Sequence, residues 1–272
     1  MFATLLASLL TAAPAPLPPI PTDAECTALG QPRLPLNFRA GERLEYDVDA
    51  VGMKAASLSL RVLPSKDGAI PVEAKVETNT FFAKIRRVTG TGTSYLDPKT
   101  LRPLRYTEES VENGIPKSAD ISFSRKDKSA ALRWGVGDSS GLSNFRFAND
   151  ALDPVGTAFL FRQMPLKQGQ KACFDAYGIR RMWRVWGTIT GKEHVSLPVG
   201  EFEAWHLEGT AVRMDNQTVR REIHYWISDD PRHLPLAALG SIDLGAVRAT
   251  LTAYDRPNES SGKAESKANL KW

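Results

Sequence analysis

The strongest constraint on this chain is a period of two. Leu44, Tyr46, Val48 and Ala50 alternate with Arg43, Glu45, Asp47 and Asp49; Leu58, Leu60 and Val62 alternate with Ser57, Ser59 and Arg61; Val247, Ala249, Leu251 and Ala253 alternate with Arg248, Thr250 and Thr252. Successive side chains of an extended strand point to opposite faces, so each run reads as a strand with one dry and one wet face. Further strands are expected over 70–78, 85–95, 104–111, 121–124, 130–134, 181–190, 204–212 and 221–227. Turn clusters separate them, among them Lys66-Asp67-Gly68, Glu112-Asn113-Gly114 and Asp215-Asn216. Many short strands with hairpin-length links predict a mainly all-β fold: an antiparallel curved sheet forming a barrel or half-barrel, with a sandwich as the alternative. With 272 residues, 42% of them hydrophobic, the chain can bury a full core.

One segment departs from this period. Asp153 is a good N-cap, Pro154 suits the first helical position, and Val155, Ala158, Phe159 and Arg162 follow at helical spacing before Met164-Pro165. A single helix of two to three turns is expected to cap or plug the curved sheet through Leu152, Val155 and Phe159. The ends differ from the body. Residues 2–13 (FATLLASLLTAA) form an uncharged apolar run too short to span a bilayer, which reads as a secretory signal. Pro14, Pro16, Pro18, Pro19 and Pro21 then suggest a semi-rigid linker. Residues 257–272 are polar and expected to be disordered. The expected organisation is a signal peptide over 1–15, a proline-rich linker over 16–36, one β-rich domain over 37–256 and the tail. Export to a periplasm or cell envelope follows from the signal, and no other stretch could cross a membrane as a helix.

Several function classes are excluded by what is missing. The 35 Lys and Arg residues are interspersed with 31 Asp and Glu, so no basic arm or stripe points to nucleic acid. Cys26 and Cys173 lack any C-x-x-C spacing, which removes a four-cysteine zinc site; in an exported chain they are candidates for one disulfide. Gly137-Asp138-Ser139-Ser140-Gly141 brings to mind a serine-protease nucleophile segment, but His194, His206, His224 and His233 all follow it, the wrong order for that family. It reads as a polar turn. Gly90-Thr91-Gly92-Thr93 lacks the lysine and helix of a phosphate cradle. No metal site and no cofactor is expected, and Asn216 and Asn258 match a glycosylation pattern that carries little weight.

Polar groups gather late in the domain. On 204–212 the apolar face is Trp205, Leu207 and Ala211, with His206, Glu208 and Thr210 opposite; on 221–227 it is Ile223, Tyr225 and Ile227, with Glu222, His224 and Trp226 opposite. A hairpin that keeps both apolar faces together, as through a three-residue loop at Asp215, Asn216 and Gln217, pairs Glu208 with His224 and His206 with Trp226. Two histidines beside a carboxylate could do acid–base work, although a solvated imidazole–carboxylate pair is the more ordinary outcome. Asp229, Asp230, Arg232 and His233 follow in a proline-bounded loop, either a salt-bridged corner or the rim of a binding mouth.

Five segments taken together carry a resemblance: Gly41-Glu42-Arg43-Leu44-Glu45-Tyr46; Tyr95-Leu96-Asp97-Pro98-Lys99-Thr100-Leu101-Arg102-Pro103; Asp150-Ala151-Leu152-Asp153-Pro154; Leu197-Pro198-Val199-Gly200-Glu201-Phe202-Glu203-Ala204; and Trp226-Ile227-Ser228-Asp229-Asp230-Pro231-Arg232-His233-Leu234-Pro235. In this order the chain, over about 38–254, resembles the exported bacterial family known as domain of unknown function 3108. The resemblance implies a β-rich envelope protein with no assigned activity and no catalytic residues to carry over. The family is expected to read closer to Asp-x-x-Ser where Asp150 and Asp153 stand, so no serine role is implied there.

The reading preferred from these observations is a non-catalytic envelope protein whose curved sheet holds an apolar cleft for a lipid or other hydrophobic ligand, lined by Leu152, Val155, Phe159, Trp205 and Trp226. One alternative is a hydrolase of envelope polymer using His224, Asp229, Asp230 and His233. Another is a structural interaction module that meets an acidic partner through Arg180, Arg181 and Arg184 beside Trp183 and Trp186. The sequence leaves oligomeric state open.

Overall fold

The computed structural model describes residues 18–178, 180–242 and 245–257. The expected signal segment, Asn258 and the expected tail beyond residue 257 lie outside the described residues. Fifteen strands form one sheet: β1 (Arg43–Ala50), β2 (Met53–Val62), β3 (Ile70–Thr78), β4 (Val88–Leu96), β5 (Pro103–Glu112), β6 (Ile115–Ser124), β7 (Ser129–Val136), β8 (Ser139–Arg146), β9 (Ala151–Leu152), β10 (Lys171–Gly178), β11 (Arg181–Leu197), β12 (Gly200–Arg213), β13 (Asn216–Ser228), β14 (Pro235–Ile242) and β15 (Gly245–Asp255). A helix, α1 (Pro154–Phe161), follows β9. The sheet order runs β8-β7-β6-β5-β4-β3-β2-β1-β15-β14-β13-β12-β11-β10-β9.

The chain therefore enters at the middle of the sheet, walks outward to one edge, crosses to the other edge and walks back. First and last strands pair, Leu44 with Tyr254 and Val48 with Ala249. Neighbouring strands are antiparallel except β9 and β10, which are parallel because helix α1, between them in the chain, is the crossover that joins them. The sheet curves without closing. It is the expected all-β architecture in its open form.

Helix α1 lies on the concave side against β3, β4 and β10, so it touches both wings. Its start is fixed by Asp153, whose Oδ1 accepts from the Val155 amide at 2.9 Å and the Gly156 amide at 2.8 Å, with Pro154 at the first position where no donor is needed. The dry strand faces and the helix close over one core containing Leu44, Val72, Leu96, Ile121, Leu152, Phe159 and Leu251.

Besides the two-residue β9, three strands carry no legible signal. β8 (SSGLSNFR) is a polar edge strand with Leu142 exposed, β10 mixes small and charged residues, and β14 opens on a proline and small residues. The strand expected over 85–95 begins at Val88, after a short 3-10 turn at Phe82–Lys84. The stretch expected to be a linker lies against the body from residue 18 onward. Cys26 is bonded to Cys173 with Cα atoms 4.9 Å apart, Leu29 is buried, and Arg102 Nη2 donates to the Leu29 and Gly30 carbonyls at 2.7 and 2.9 Å.

Candidate functional site

Inside the curve, beside the helix, is a cavity of about 500 Å³. Its walls come from the dry faces of the central strands (Tyr46, Leu58, Leu60, Val76), from Tyr106 on β5, from Tyr225, Ala238 and Ala249 on the returning strands, and from Pro154, Val155 and Ala158 of α1. The size falls in the range of small-molecule sites, roughly 300–1,000 Å³. Gly90, Thr91 and Gly92 of the Gly90-Thr91-Gly92-Thr93 segment belong to this wall as part of β4. A Cβ on Gly92 would stand 2.4 Å from the Tyr106 hydroxyl oxygen, so only glycine lets that ring lie across the strand.

Charge is confined to one side of the cavity. Arg86, Glu108, Glu112, Lys117 and Arg180 line it there. Glu112 is bonded by both Arg86, at 2.5 Å, and Lys117. The Lys117 hydrogen bond is the main reason its carboxyl titrates below the usual range. Glu108 shifts the other way: burial pushes its carboxyl up, against the opposing pull of the Tyr106 hydroxyl, 3.4 Å away, and of Arg180. Arg180 sits in the β10–β11 turn at φ +57° and also lines a neighbouring cleft of about 620 Å³ with Trp134, Phe145, Arg181 and Arg213.

The residues proposed from sequence as lining a cleft occupy different places. Val155 faces the cavity. Leu152 and Phe159 are fully buried, and Phe159 packs edge-on against Phe38 at 4.8 Å with the Arg162 guanidinium 5.1 Å above its ring. Trp205 donates to Asp229 at 2.8 Å and lies under Lys192. Trp226 stacks on His206 at 4.7 Å with an interplanar angle of 1°.

The histidine pairing has the register read from the alternation: Glu208 is opposite His224 and His206 opposite Trp226. The loop that delivers it is different. A tight turn joins Arg213 to Asn216, and a bulge after Val212 takes up the extra residues of β13. His206 Nε2 lies 2.9 Å from His224 Nδ1, and His224 Nε2 lies 3.2 Å from Glu222. No group of three or more metal-ligating side chains occurs among the described residues.

The groups considered for hydrolysis do not converge. His224 is engaged with His206 and Glu222, whereas Asp229 is held by Trp205 and, at 2.5 Å, by Lys192. Asp230 accepts from the Arg232 guanidinium at 2.5 Å and from the Arg232 amide at 2.8 Å. Burial would raise its pKa, but these bonds outweigh it and hold the carboxyl below its ordinary value. His233 is shifted down by burial and by Arg33. Arg162 Nη2 reaches the Arg232 carbonyl at 3.3 Å, tying this corner to the end of the helix. Of the arginines considered for an acidic partner, Arg184 is spent on Asp175 at 2.7 Å and Asp23 at 2.7 Å, and Arg181 meets Asp215 at 3.2 Å.

The segments that carry the resemblance hold buried polar structure. Glu42 pairs with Arg162 at 2.5 Å with both side chains fully buried, Arg102 pairs with Asp150 at 2.9 Å, and Asp153 caps the helix. Pro198 and Val199 form the β11–β12 turn between Leu197 and Gly200. Glu108 is the cavity group that the sequence reading passed over. Its signal is a charged residue two positions after Tyr106, on the dry face of β5.

The family model described as "Protein of unknown function (DUF3108)" matches residues 45–252. No curated protein matches the chain. Among solved structures, a β-barrel-like protein of domain of unknown function DUF1849 from Brucella abortus is similar at 9% identity and a TM-score of 0.54, covering 81% of this chain and 99% of that one. A protein of YmcC-like fold from Bacteroides fragilis is similar at 12% identity and a TM-score of 0.35, covering 81% of this chain and 98% of that one. The likeness to the Brucella protein is one of fold. Among the described residues no helix is long and apolar enough to cross a membrane.

Proposed function

This chain belongs to the family of proteins of unknown function DUF3108, and on that premise we propose that it is a non-catalytic binding protein of the cell envelope that holds the apolar part of a ligand between helix α1 and the concave face of its sheet. The observation that carries this is the cavity of about 500 Å³, walled largely by aliphatic and aromatic side chains between the helix and the sheet. A closed structural module would fill such a space, because interiors at ordinary protein density leave voids little larger than a water molecule. Envelope location is supported by the apolar run over 2–13 and by the Cys26–Cys173 disulfide, a bond that persists in oxidising compartments.

The test is binding of a fluorescent fatty-acid probe to delipidated protein, with Ala158→Phe to fill the space from the helix side. Ala158 lines the cavity while being only partly buried, so the larger side chain enters the cavity rather than the core. Saturable binding that Ala158→Phe abolishes, with the thermal midpoint retained, supports the proposal. Absence of binding to folded wild-type protein overturns it.

A further inference from the structure

We propose that the ligand is an anionic amphiphile, whose chain lies in the cavity and whose acidic head is met by the Arg180 guanidinium. This rests on the cavity reading above and specifies the chemical class that the site takes. The charges on the cavity wall decide the sign. Glu112 is fully engaged by Arg86 and Lys117, which leaves Glu108 and Arg180. Glu108 attracts Arg180 without an ion pair among the described residues, and the wall carries three cations, Arg86, Lys117 and Arg180, against the two carboxylates of Glu108 and Glu112. Arg180 is half-buried, and among the described residues its guanidinium has no hydrogen-bond or ion-pair partner; the one bond it takes part in is through its carbonyl, which accepts from Arg181. A half-buried guanidinium that makes no hydrogen bond or ion pair gains from a ligand that supplies an anion in direct contact.

Placement agrees with sign. Arg180 lines the apolar cavity and also the adjoining cleft of about 620 Å³. A head on Arg180 thus stands at the junction, with its chain directed past Tyr106 and Val155 toward the helix. The other arginines of that cleft, Arg181 and Arg213, already share Asp215 at 3.2 and 2.9 Å. Arg180 is therefore the group that discriminates between heads. A guanidinium presents paired donors that suit a carboxylate or a phosphate equally.

The experiment uses the intact, disulfide-bonded protein after delipidation and displaces a dansyl-undecanoate probe with amphiphiles of one chain length: dodecanoate, dodecyl phosphate, dodecanol and dodecyltrimethylammonium. The anionic pair should displace at concentrations about tenfold lower than dodecanol, the effect of one hydrogen bond to a charged group. The cation should be the weakest. Whichever anion binds more tightly identifies the head as carboxylate or phosphate. Arg180→Gln should erase the anion preference, read as the ratio of anion to dodecanol affinity, and Arg180→Lys should restore part of it; a retained thermal midpoint reports that each variant is folded. Equal displacement by anion and alcohol, or an anion preference that survives Arg180→Gln, overturns the proposal while sparing the cavity reading. Failure of the probe and of every amphiphile to bind overturns the cavity reading as well.

Discussion

Replacing Asp153 tests how the helix is held in the sheet. Its carboxyl is fully buried, and it accepts from two helix amides and, at 2.6 Å, from the Ser94 hydroxyl. Burial outweighs those bonds and raises its pKa from 3.8 to about 6. A carboxyl whose pKa is higher in the folded state binds its proton more tightly when folded. Its contribution is therefore complete below the unfolded value and is lost as pH rises through the folded one. A shift of about two units at ~1.36 kcal/mol each gives a loss of stability of about 3 kcal/mol between roughly pH 4 and pH 6 from this group. Asp153→Asn keeps an acceptor for both amides and removes the charge, so it should stay within about 1 kcal/mol of wild type near pH 4 and flatten that decline, which leaves it the more stable of the two at neutral pH. Asp153→Ala leaves buried donors unpaired and should cost about 3–5 kcal/mol near pH 4, a lost cap plus unsatisfied groups, and about 3 kcal/mol less than that at neutral pH, where the wild type has lost its own contribution. Urea unfolding at a series of pH values, with the disulfide intact, measures all three. If wild-type stability instead rises from pH 4 to pH 6 and Asp153→Asn removes the rise, Asp153 has a depressed pKa and its bonds, not its burial, dominate.

Breaking the buried Glu42–Arg162 pair with Glu42→Gln should cost about 3–5 kcal/mol by leaving Arg162 uncompensated, and Glu42→Gln with Arg162→Met should recover part of it; a double-variant loss equal to the sum of the two single losses would show that the pair is not coupled. Removing the disulfide with Cys26→Ser and Cys173→Ser should lower stability by about 2–5 kcal/mol, since it closes a separation of 147 residues, and a denaturant midpoint unchanged from wild type would show that it contributes nothing. Phe159→Ala should cost about 3–5 kcal/mol because the ring is fully buried against Phe38, with probe binding as a second readout: a small loss of stability would show that the contact is loose.

The period of two was enough to determine that this chain is a curved antiparallel sheet, because burying one face of a strand forces alternation that any local window reveals. The Asp153-Pro154 pair likewise determined where the helix starts, since capping is satisfied within a few residues. The parity of the apolar faces on 204–212 and 221–227 determined that His206 stands opposite Trp226, even though a bulge replaced the expected loop, because burial constrains register more strongly than turn type does. Only the tertiary structure decided the rest. β8 and β14 pair through backbone bonds that leave little mark on side-chain pattern. Distant neighbours of Arg102, Arg162 and Arg184 lie far along the chain, at Asp150, Glu42 and Asp23, the last in the segment that reads as a linker. The cavity is a difference between the curvature of the sheet and the volume of the helix, and no single strand encodes it. Its arginine that makes no ion pair among the described residues, Arg180, is like any other in the sequence, made distinctive by which carboxylates the fold has already assigned elsewhere.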